Sequence, residues 1–360
     1  MKIAIIGLGV IGGSLGLAFK QNNPRSTIVG FDSPAVVRRA KRRKAIDTYA
    51  PTLRNAVADA EIVFVCTPVQ SILKLLPEIS RFIPPQTIVT DVGSVKSVIQ
   101  SCAEKYFFSH GIFIGGHPMA GSEGSGIEYA DGLLFQNAVY VLCPFRKNGK
   151  RILPLVNLLK SIGARILTMD AREHDRVAAA ISHLPQLIAV SLMDQTARKN
   201  MRNPAFLQLA AGGFRDMTRI ASSPFHVWKD ILSNNRGEAR QALGEFEKLL
   251  RQFRKELLQS SLSDVSRRFI RAKSFRDSIP KNSKGFLHSL HDLFVWVDDK
   301  PGTLAKMTAA LFRSGININD IELLKVREGQ GGTFRLSFES ADTARDASRV
   351  LRSEGFRVVK

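Results

Sequence analysis

Met1-Lys2-Ile3-Ala4-Ile5-Ile6-Gly7-Leu8-Gly9-Val10-Ile11-Gly12-Gly13-Ser14 opens the chain, and its reading decides the fold. The apolar run to Ile6 reads as a buried strand. It breaks at once into a glycine-rich turn that starts a helix carrying Leu15, Leu17, Ala18 and Phe19. Gly7 permits the tight turn, Gly9 keeps a side chain away from an approaching phosphate, and Gly12 lets the helix pack closely on the sheet. The free N–H groups at the helix start, at Val10 and Ile11, then face a pyrophosphate. A second strand, Thr27 to Phe31, ends in Asp32, at the spacing where a carboxylate can hold an adenosine ribose 2′-hydroxyl. The stretch therefore predicts a dinucleotide site made by Gly7, Gly9, Val10, Ile11, Gly12 and Asp32.

Strand and helix go on alternating after Asp32. Ile62 to Cys66 is a buried strand, and Thr67 follows it where a loop passes close to a cofactor. Thr87 to Thr90 is the next strand and leads into Asp91-Val92-Gly93-Ser94-Val95-Lys96, with Ser94 placed to cap the helix that follows. Ile112 to Gly116 leads into His117, expected in a loop, and two more strands at 138–142 and 165–169 flank a helix at about 151–162. Residues 1–170 thus predict a doubly wound α/β domain of Rossmann type, with its chemistry beyond the carboxyl ends of the strands.

From Glu173 the texture turns helical, over roughly 173–199, 204–211, 224–233 and 236–258, which predicts an all-helical domain at 171–285. Val177 to Met193 is apolar nearly all round, as suits the centre of a bundle or a dimer. Ser182-His183-Leu184-Pro185-Gln186 interrupts it with polar groups that call for a reason. Residues 263–284 read as a connecting helix and an exposed linker. Beyond them, 290–360 reads β-α-β-β-α-β, a ferredoxin-like unit with no catalytic cluster and so suited to binding or association.

Fifty-two Lys and Arg against thirty-two Asp and Glu leave a net charge of +20. The densest run, Arg38-Arg39-Ala40-Lys41-Arg42-Arg43-Lys44, falls on the second helix and reads as a solvated face. No helix-turn-helix, zinc or RNA-binding signature supports nucleic acid as a partner. The three cysteines have no metal-ligand spacing and fit buried thiols in a reducing compartment. With no apolar run of about 18 residues and no room for a signal peptide before the glycine motif, the expected setting is cytoplasmic, away from membranes.

A dinucleotide site implies hydride transfer, so the polar residues near it become candidates for the chemistry. A neutral His117 imidazole can take a proton from a substrate hydroxyl as hydride leaves. Ser94 can orient that hydroxyl or cap a helix. The turn-rich stretch Gly212 to Ala221 carries Arg215 and Arg219, either of which can bind a carboxylate bidentately.

Five motifs occur in one order: the glycine loop, Asp91 to Lys96, His117-Pro118-Met119-Ala120-Gly121-Ser122-Glu123, Ser182-His183-Leu184-Pro185, and Gly212 to Ala221. Together they resemble the prephenate/arogenate dehydrogenases of tyrosine biosynthesis over residues 1–285. The tail, with Asp299-Lys300-Pro301-Gly302-Thr303-Leu304 at its first helix, resembles an ACT domain. The resemblance implies NAD-dependent oxidative decarboxylation of prephenate to 4-hydroxyphenylpyruvate, with His117 on the ring 4-hydroxyl and Ser94 supporting it. It also implies Arg219 on a substrate carboxylate, His183 in the pocket wall, a homodimer through the helical domain, and feedback by an aromatic amino acid, tyrosine first.

One departure stands out: many prephenate-specific members carry a second histidine where this chain has Gln186. Glutamine cannot become a cation, so arogenate is the alternative substrate. Asp32 repels a 2′-phosphate, which favours NAD over NADP. Another scaffold-sharing class, the β-hydroxyacid dehydrogenases, uses a lysine on the long helix, and none stands between Arg176 and Arg198. A non-catalytic, basic, amino-acid-sensing protein is the remaining alternative, and it would leave Ser94, His117 and Arg219 idle.

Overall fold

The computed structural model describes residues 1–107, 111–121, 124–259, 261–278, 291–298, 300–327 and 331–359, without the side chains at 146–148, 226, 324–327 and 359. They form two units, Met1–Arg268 and Phe269–Lys360.

In the first unit the chain runs β1 (Lys2–Ile6), α1 (Val10–Asn22), β2 (Thr27–Phe31), α2 (Pro34–Arg42), β3 (Thr48–Tyr49), α3 (Leu53–Val57), β4 (Ile62–Val65) and α4 (Val69–Phe82). It continues through β5 (Ile88–Asp91), α5 (Ser97–Phe107), β6 (Ile112–Pro118), β7 (Val139–Pro144), α6 (Leu153–Ser161) and β8 (Arg165–Thr168). These strands make one eight-stranded sheet in the order β3-β2-β1-β4-β5-β6-β7-β8. Strands β1 to β6 are parallel, whereas β7 meets β6 antiparallel. Alternate residues of β1 feed opposite cores: Ile3 and Ile5 pack with Leu15 and Phe19 of α1, while Ala4 and Ile6 pack with Val63, Ile72 and Leu76. Both faces of the sheet are covered, which is why the opening run is continuously apolar. The strand order reverses at β1, so the crevice beyond β1 and β4 is the topological switch point where ligands bind in such sheets.

The helical part begins with α7 (Ala171–Ala178), a π-helical turn at Ala179–His183 and α8 (Leu184–Asn200). It goes on through α9 (Ala205–Gln208), α10 (Gly212–Thr218), α11 (Phe225–Asn234), α12 (Arg236–Glu256) and α13 (Ser263–Ser278). The polar interruption at Ser182–Gln186 therefore begins in the end of a wide turn and runs into α8, inside a continuous helix. π-turns of this kind concentrate at functional sites.

Ser182, His183 and Gln186 interrupt the apolar stretch of α7 and α8, yet the helix as a whole is apolar on average. Ala171–Asn200 forms one helical run of 30 residues, long and apolar enough by length and composition to cross a membrane, and 28% of its apolar window is buried within the chain. Val177, Ile181 and Val190 face outward on it.

The second unit contains β9 (His291–Val297), α14 (Thr303–Arg313), β10 (Asp320–Arg327), β11 (Gly331–Phe338), α15 (Ala341–Ser353) and β12 (Arg357–Val359). Its antiparallel sheet has the order β10-β11-β9-β12, the ferredoxin-like arrangement expected. Val295, Leu336 and Phe338 pack with Met307, Leu311, Ala347 and Leu351 of the two helices. The end of the anticipated connecting segment, at 279–284, Asp299 in the first turn, and 328–330 in the hairpin lie outside the described residues.

Candidate active site

The glycine loop separates into positions that the chain itself requires and one that it does not. Gly7 has φ +92°, and a Cβ there would meet the Cys66 carbonyl oxygen at 2.6 Å. A Cβ on Gly12 would lie 2.0 Å from the Gly7 carbonyl oxygen, whereas one on Gly9 would find nothing within 4 Å. Gly9 therefore leaves open room above the start of α1, where the N–H groups of Val10 and Ile11 are available to a phosphate.

Asp32 sits just past β2, its carboxylate held by the Leu8 N–H at 2.7 Å and the Ser33 N–H at 2.6 Å. Two basic neighbours are committed elsewhere: Arg39 pairs with Glu128 at 3.0 Å, and Arg43 donates to the Ala130 carbonyl at 2.8 Å. After β4, the buried Thr67 hydroxyl has no hydrogen-bond partner among the described residues. An open glycine, a fixed acidic group at the ribose position and an orphaned hydroxyl are the features a dinucleotide would complete. The residues present fit that cofactor.

The other half of the crevice is organised by two buried carboxylates. Asp91, at the end of β5, is fully buried and accepts from the Gly93 N–H at 2.8 Å, the Gly116 N–H at 3.1 Å and the Lys96 ammonium. Lys96 is 1% exposed and also donates to the Gly116 carbonyl at 2.7 Å, so the peptide groups on both sides of Gly116 are pinned. The next residue is His117. It lies within β6 and not, as the sequence suggested, in a loop; its half-buried ring stands at the carboxyl end of the parallel strands.

Asp175 of α7 is the second carboxylate. It accepts from the Lys96 and Ser97 N–H groups at 2.7 and 2.8 Å and so caps α5. That role had been one of two offered to Ser94, which instead lies three residues before the helix, half-buried at the crevice. Asp175 also meets His174 Nδ1 at 2.9 Å, and His174 Nε2 meets His117 Nδ1 at 2.8 Å. The three residues form a continuous hydrogen-bonded chain leading out to the crevice.

His183 closes the π-turn beside this chain, 1% exposed, with its ring edge-on to Trp228 at 6.0 Å. The Asn235 amide donates to the Asp175 carbonyl at 2.8 Å and stands 3.4 Å from His183 Nδ1. Burial pushes the His183 imidazole down to about 4, with Asp175 opposing that and His174 adding to it. Burial also holds His117 well below its ordinary value, reinforced by the positive charge of Lys96 and by His174 and His183, and opposed by Asp175. Asp175 itself is held below the usual carboxylate range: burial raises it, but hydrogen bonds from His174, Ser97 and Lys96 outweigh that. At neutral pH the chain thus starts from an ionised Asp175 carboxylate and ends on an uncharged His117 imidazole.

Gln186 is buried on the first turn of α8, just beyond His183. Arg219 begins a short 3₁₀ turn, Arg219–Ser222, that packs against α8 and leaves the side chain exposed. Arg215 is exposed on α10. The hydrogen-bonded chain therefore joins His117 to the surroundings of His183, with Ser94 and Gln186 on adjoining segments, while Arg219 stands outside it. Sequence reasoning missed His174, Asp175, Asp91 and Asn235 and left Lys96 aside. Arg172-Glu173-His174-Asp175-Arg176, five consecutive ionisable residues leading into a helical run that turns apolar at Val177, was the available signal.

Comparison with known proteins shows which proteins the chain resembles. Family models match as prephenate dehydrogenase, nucleotide-binding domain at 15–168, prephenate dehydrogenase, dimerization domain at 170–270, and ACT domain at 291–350. A prephenate dehydrogenase of Bacillus subtilis is 38% identical over 98% of this chain and 95% of its own length. Among solved structures, prephenate dehydrogenase from A. aeolicus in complex with hydroxyphenyl propionate and NAD+ superposes with a TM-score of 0.71 at 27% identity, covering 78% of this chain and 98% of that one. Synechocystis arogenate dehydrogenase gives a TM-score of 0.70 at 30% identity, covering 77% of this chain and 99% of that one.

Proposed function

The chain belongs to the prephenate dehydrogenase family, and from that premise we infer that its crevice carries out the NAD-dependent oxidative decarboxylation of prephenate to 4-hydroxyphenylpyruvate and CO2. The observation that carries this reading is the position of His117 at the carboxyl end of β6, in the same row of strand ends as the glycine loop, Asp32 and Thr67. We assign residues 1–170 to cofactor binding, 171–285 to substrate binding and dimerisation, and 290–360 to regulation.

Bound NAD supplies the hydride acceptor. His117 receives the hydrogen bond of the ring 4-hydroxyl, draws its proton as C4 is oxidised and returns it as the ring becomes a phenol. Ser94 orients the hydroxyl. Arg219 holds a carboxylate of the substrate, and His183 and Gln186 line the pocket. Loss of CO2 makes the ring aromatic, so the protein has mainly to position the substrate and keep His117 uncharged. A second copy covers the apolar face of α7 and α8, and tyrosine acts through the second unit. The three free cysteines suit a reducing, cytoplasmic setting.

Following NADH absorbance with prephenate and arogenate in parallel tests the reading. Turnover on prephenate with NAD is expected, and turnover on neither substrate would reject it. A preference for arogenate would keep the chemistry and trace the difference to Gln186, with Gln186→His expected to shift use towards prephenate. Added tyrosine should slow the full chain.

A further inference from the structure

The hydrogen-bonded chain from Asp175 does more than support a histidine; its polarity is determined. Asp175 is fixed by the Lys96 and Ser97 N–H groups, which donate to its carboxylate. An ionised carboxylate only accepts, so His174 must carry its proton on Nδ1, the nitrogen 2.9 Å from Asp175. When His174 holds that one proton alone, its Nε2 offers only a lone pair. That nitrogen lies 2.8 Å from His117 Nδ1, so His117 must donate there and carry its own proton on Nδ1. Its Nε2 is left as a lone pair for the crevice.

We propose that His174 and Asp175 are positioning residues that lock His117 into the Nδ1-protonated tautomer, so that Nε2 is always the free base presented to the substrate hydroxyl. The inference rests on the role given to His117 above. In a lone exposed imidazole the two tautomers interconvert, and the wrong one offers the substrate a donor where an acceptor is needed. Here the alternative would turn a lone pair of His174 towards the Asp175 carboxylate inside a buried site, which burial makes costly. The charged and titratable groups facing His117 are Lys96, His174, His183 and Asp175. Lys96 is bound to Asp91 and opposes a positive charge on the ring, while Asp175 lies beyond His174 and favours it. The chain thus sets where the proton sits, while burial, reinforced by the Lys96 cation, keeps the ring uncharged before the reaction. Neither His174 nor Asp175 need touch the substrate.

The test is ¹⁵N NMR of histidine-labelled full-length enzyme, with the His117 signals identified by their loss in His117→Asn, together with steady-state kinetics. The expected spectrum has His117 and His174 both protonated at Nδ1. In Asp175→Asn an amide nitrogen turned towards His174 would donate to Nδ1, reverse each bond in turn and place the His117 proton on Nε2, at the cost of facing the Lys96 N–H that donates to the same carboxylate oxygen in the native chain. Turnover should fall about 10²- to 10⁴-fold, with NAD affinity and KM little changed. His174→Phe, which keeps a ring and removes the acceptor, should lose the single tautomer and alter the acid limb of the kcat profile. His174→Gln, whose amide oxygen can accept from His117 Nδ1, should recover most of the rate.

A native His117 protonated at Nε2 would overturn the proposal. So would His174→Phe with an unchanged tautomer and pH profile, and that variant decides the matter if Asp175→Asn does not fold. Normal turnover in His117→Asn would instead reject the base itself, leaving the tautomer measurement to stand or fall separately.

Discussion

Single residues in this protein do two kinds of work that differ in their response to substitution. Lys96 and Asp91 form a fully buried ion pair that also ties down Gly116. Removing one partner leaves a buried charge uncompensated, which typically costs about 3–5 kcal/mol. Lys96→Met should therefore lower the unfolding free energy by that amount and disturb His117 as well, read from denaturant unfolding curves and kcat. His183 makes a pH-dependent contribution of a predictable sign. Its folded value of about 4 lies below that of an unfolded histidine, near 6.5, so between the two the unfolded chain binds more protons. The stabilisation is complete above the unfolded value and is lost as pH falls towards 4. It amounts to about 2 kcal/mol after screening. Stability measured from pH 7 to 4 should fall less in His183→Asn than in the native chain; equal slopes would contradict the assignment. At this scale the sequence was legible only in part. His117, Ser94 and His183 stood beside motif glycines or a proline, but Asp91, Lys96, His174 and Asp175 work through contacts between distant segments, and no spacing within one segment reveals such contacts. Asp175 reaches Lys96 across 79 positions of the chain.

At the scale of elements, the opening strand, turn and helix were fully legible, because a buried parallel strand and a glycine loop are encoded locally. The contrast that the motif implies between two of its glycines is given distances by the structure. Gly9 and Gly12 belong to one motif, yet a Cβ on Gly9 meets nothing within 4 Å while one on Gly12 would overlap the Gly7 carbonyl oxygen at 2.0 Å. Gly9→Ala should fold normally and lose NAD affinity, because the added methyl occupies phosphate room. Gly12→Ala should lower the melting temperature without any ligand present, because the methyl pushes α1 from β1. Thermal unfolding and NAD titration of both variants separate the effects, and equal loss of stability would contradict the geometry. The π-turn at Ala179–His183 was not legible: proline and polar residues announced an interruption, but a wide turn that keeps the helix continuous depends on what packs around it. His183 meets Trp228 and Asn235 there, from α11 and just before α12, neither of them a sequence neighbour.

The whole molecule carries an apolar surface that a single chain does not cover. Ile181 is 62% exposed and Val190 45%, on a helix whose sequence reads as a core, and Leu207 and Leu209 add to the same helical part at 59% and 80%. Scattered apolar residues on a surface are ordinary, but a long helix with exposed apolar side chains is a face that needs a cover. The apolar reading of Val177 to Met193 was correct as to composition and silent as to partner, since a bundle centre, a dimer core and a membrane span share that composition. The family match to a dimerization domain over 170–270 favours a second copy, and the +20 charge is compatible with it so long as the contact is made through this face and not through the basic helices. Light scattering on the purified chain should give about twice 39.8 kDa. Ile181→Lys, which places a charge on this exposed apolar surface and changes no residue of the His117 chain, should shift the mass towards 39.8 kDa. A native particle of single-chain mass would reject the dimer, and detergent-dependent solubility of the native chain would point to a lipid cover instead.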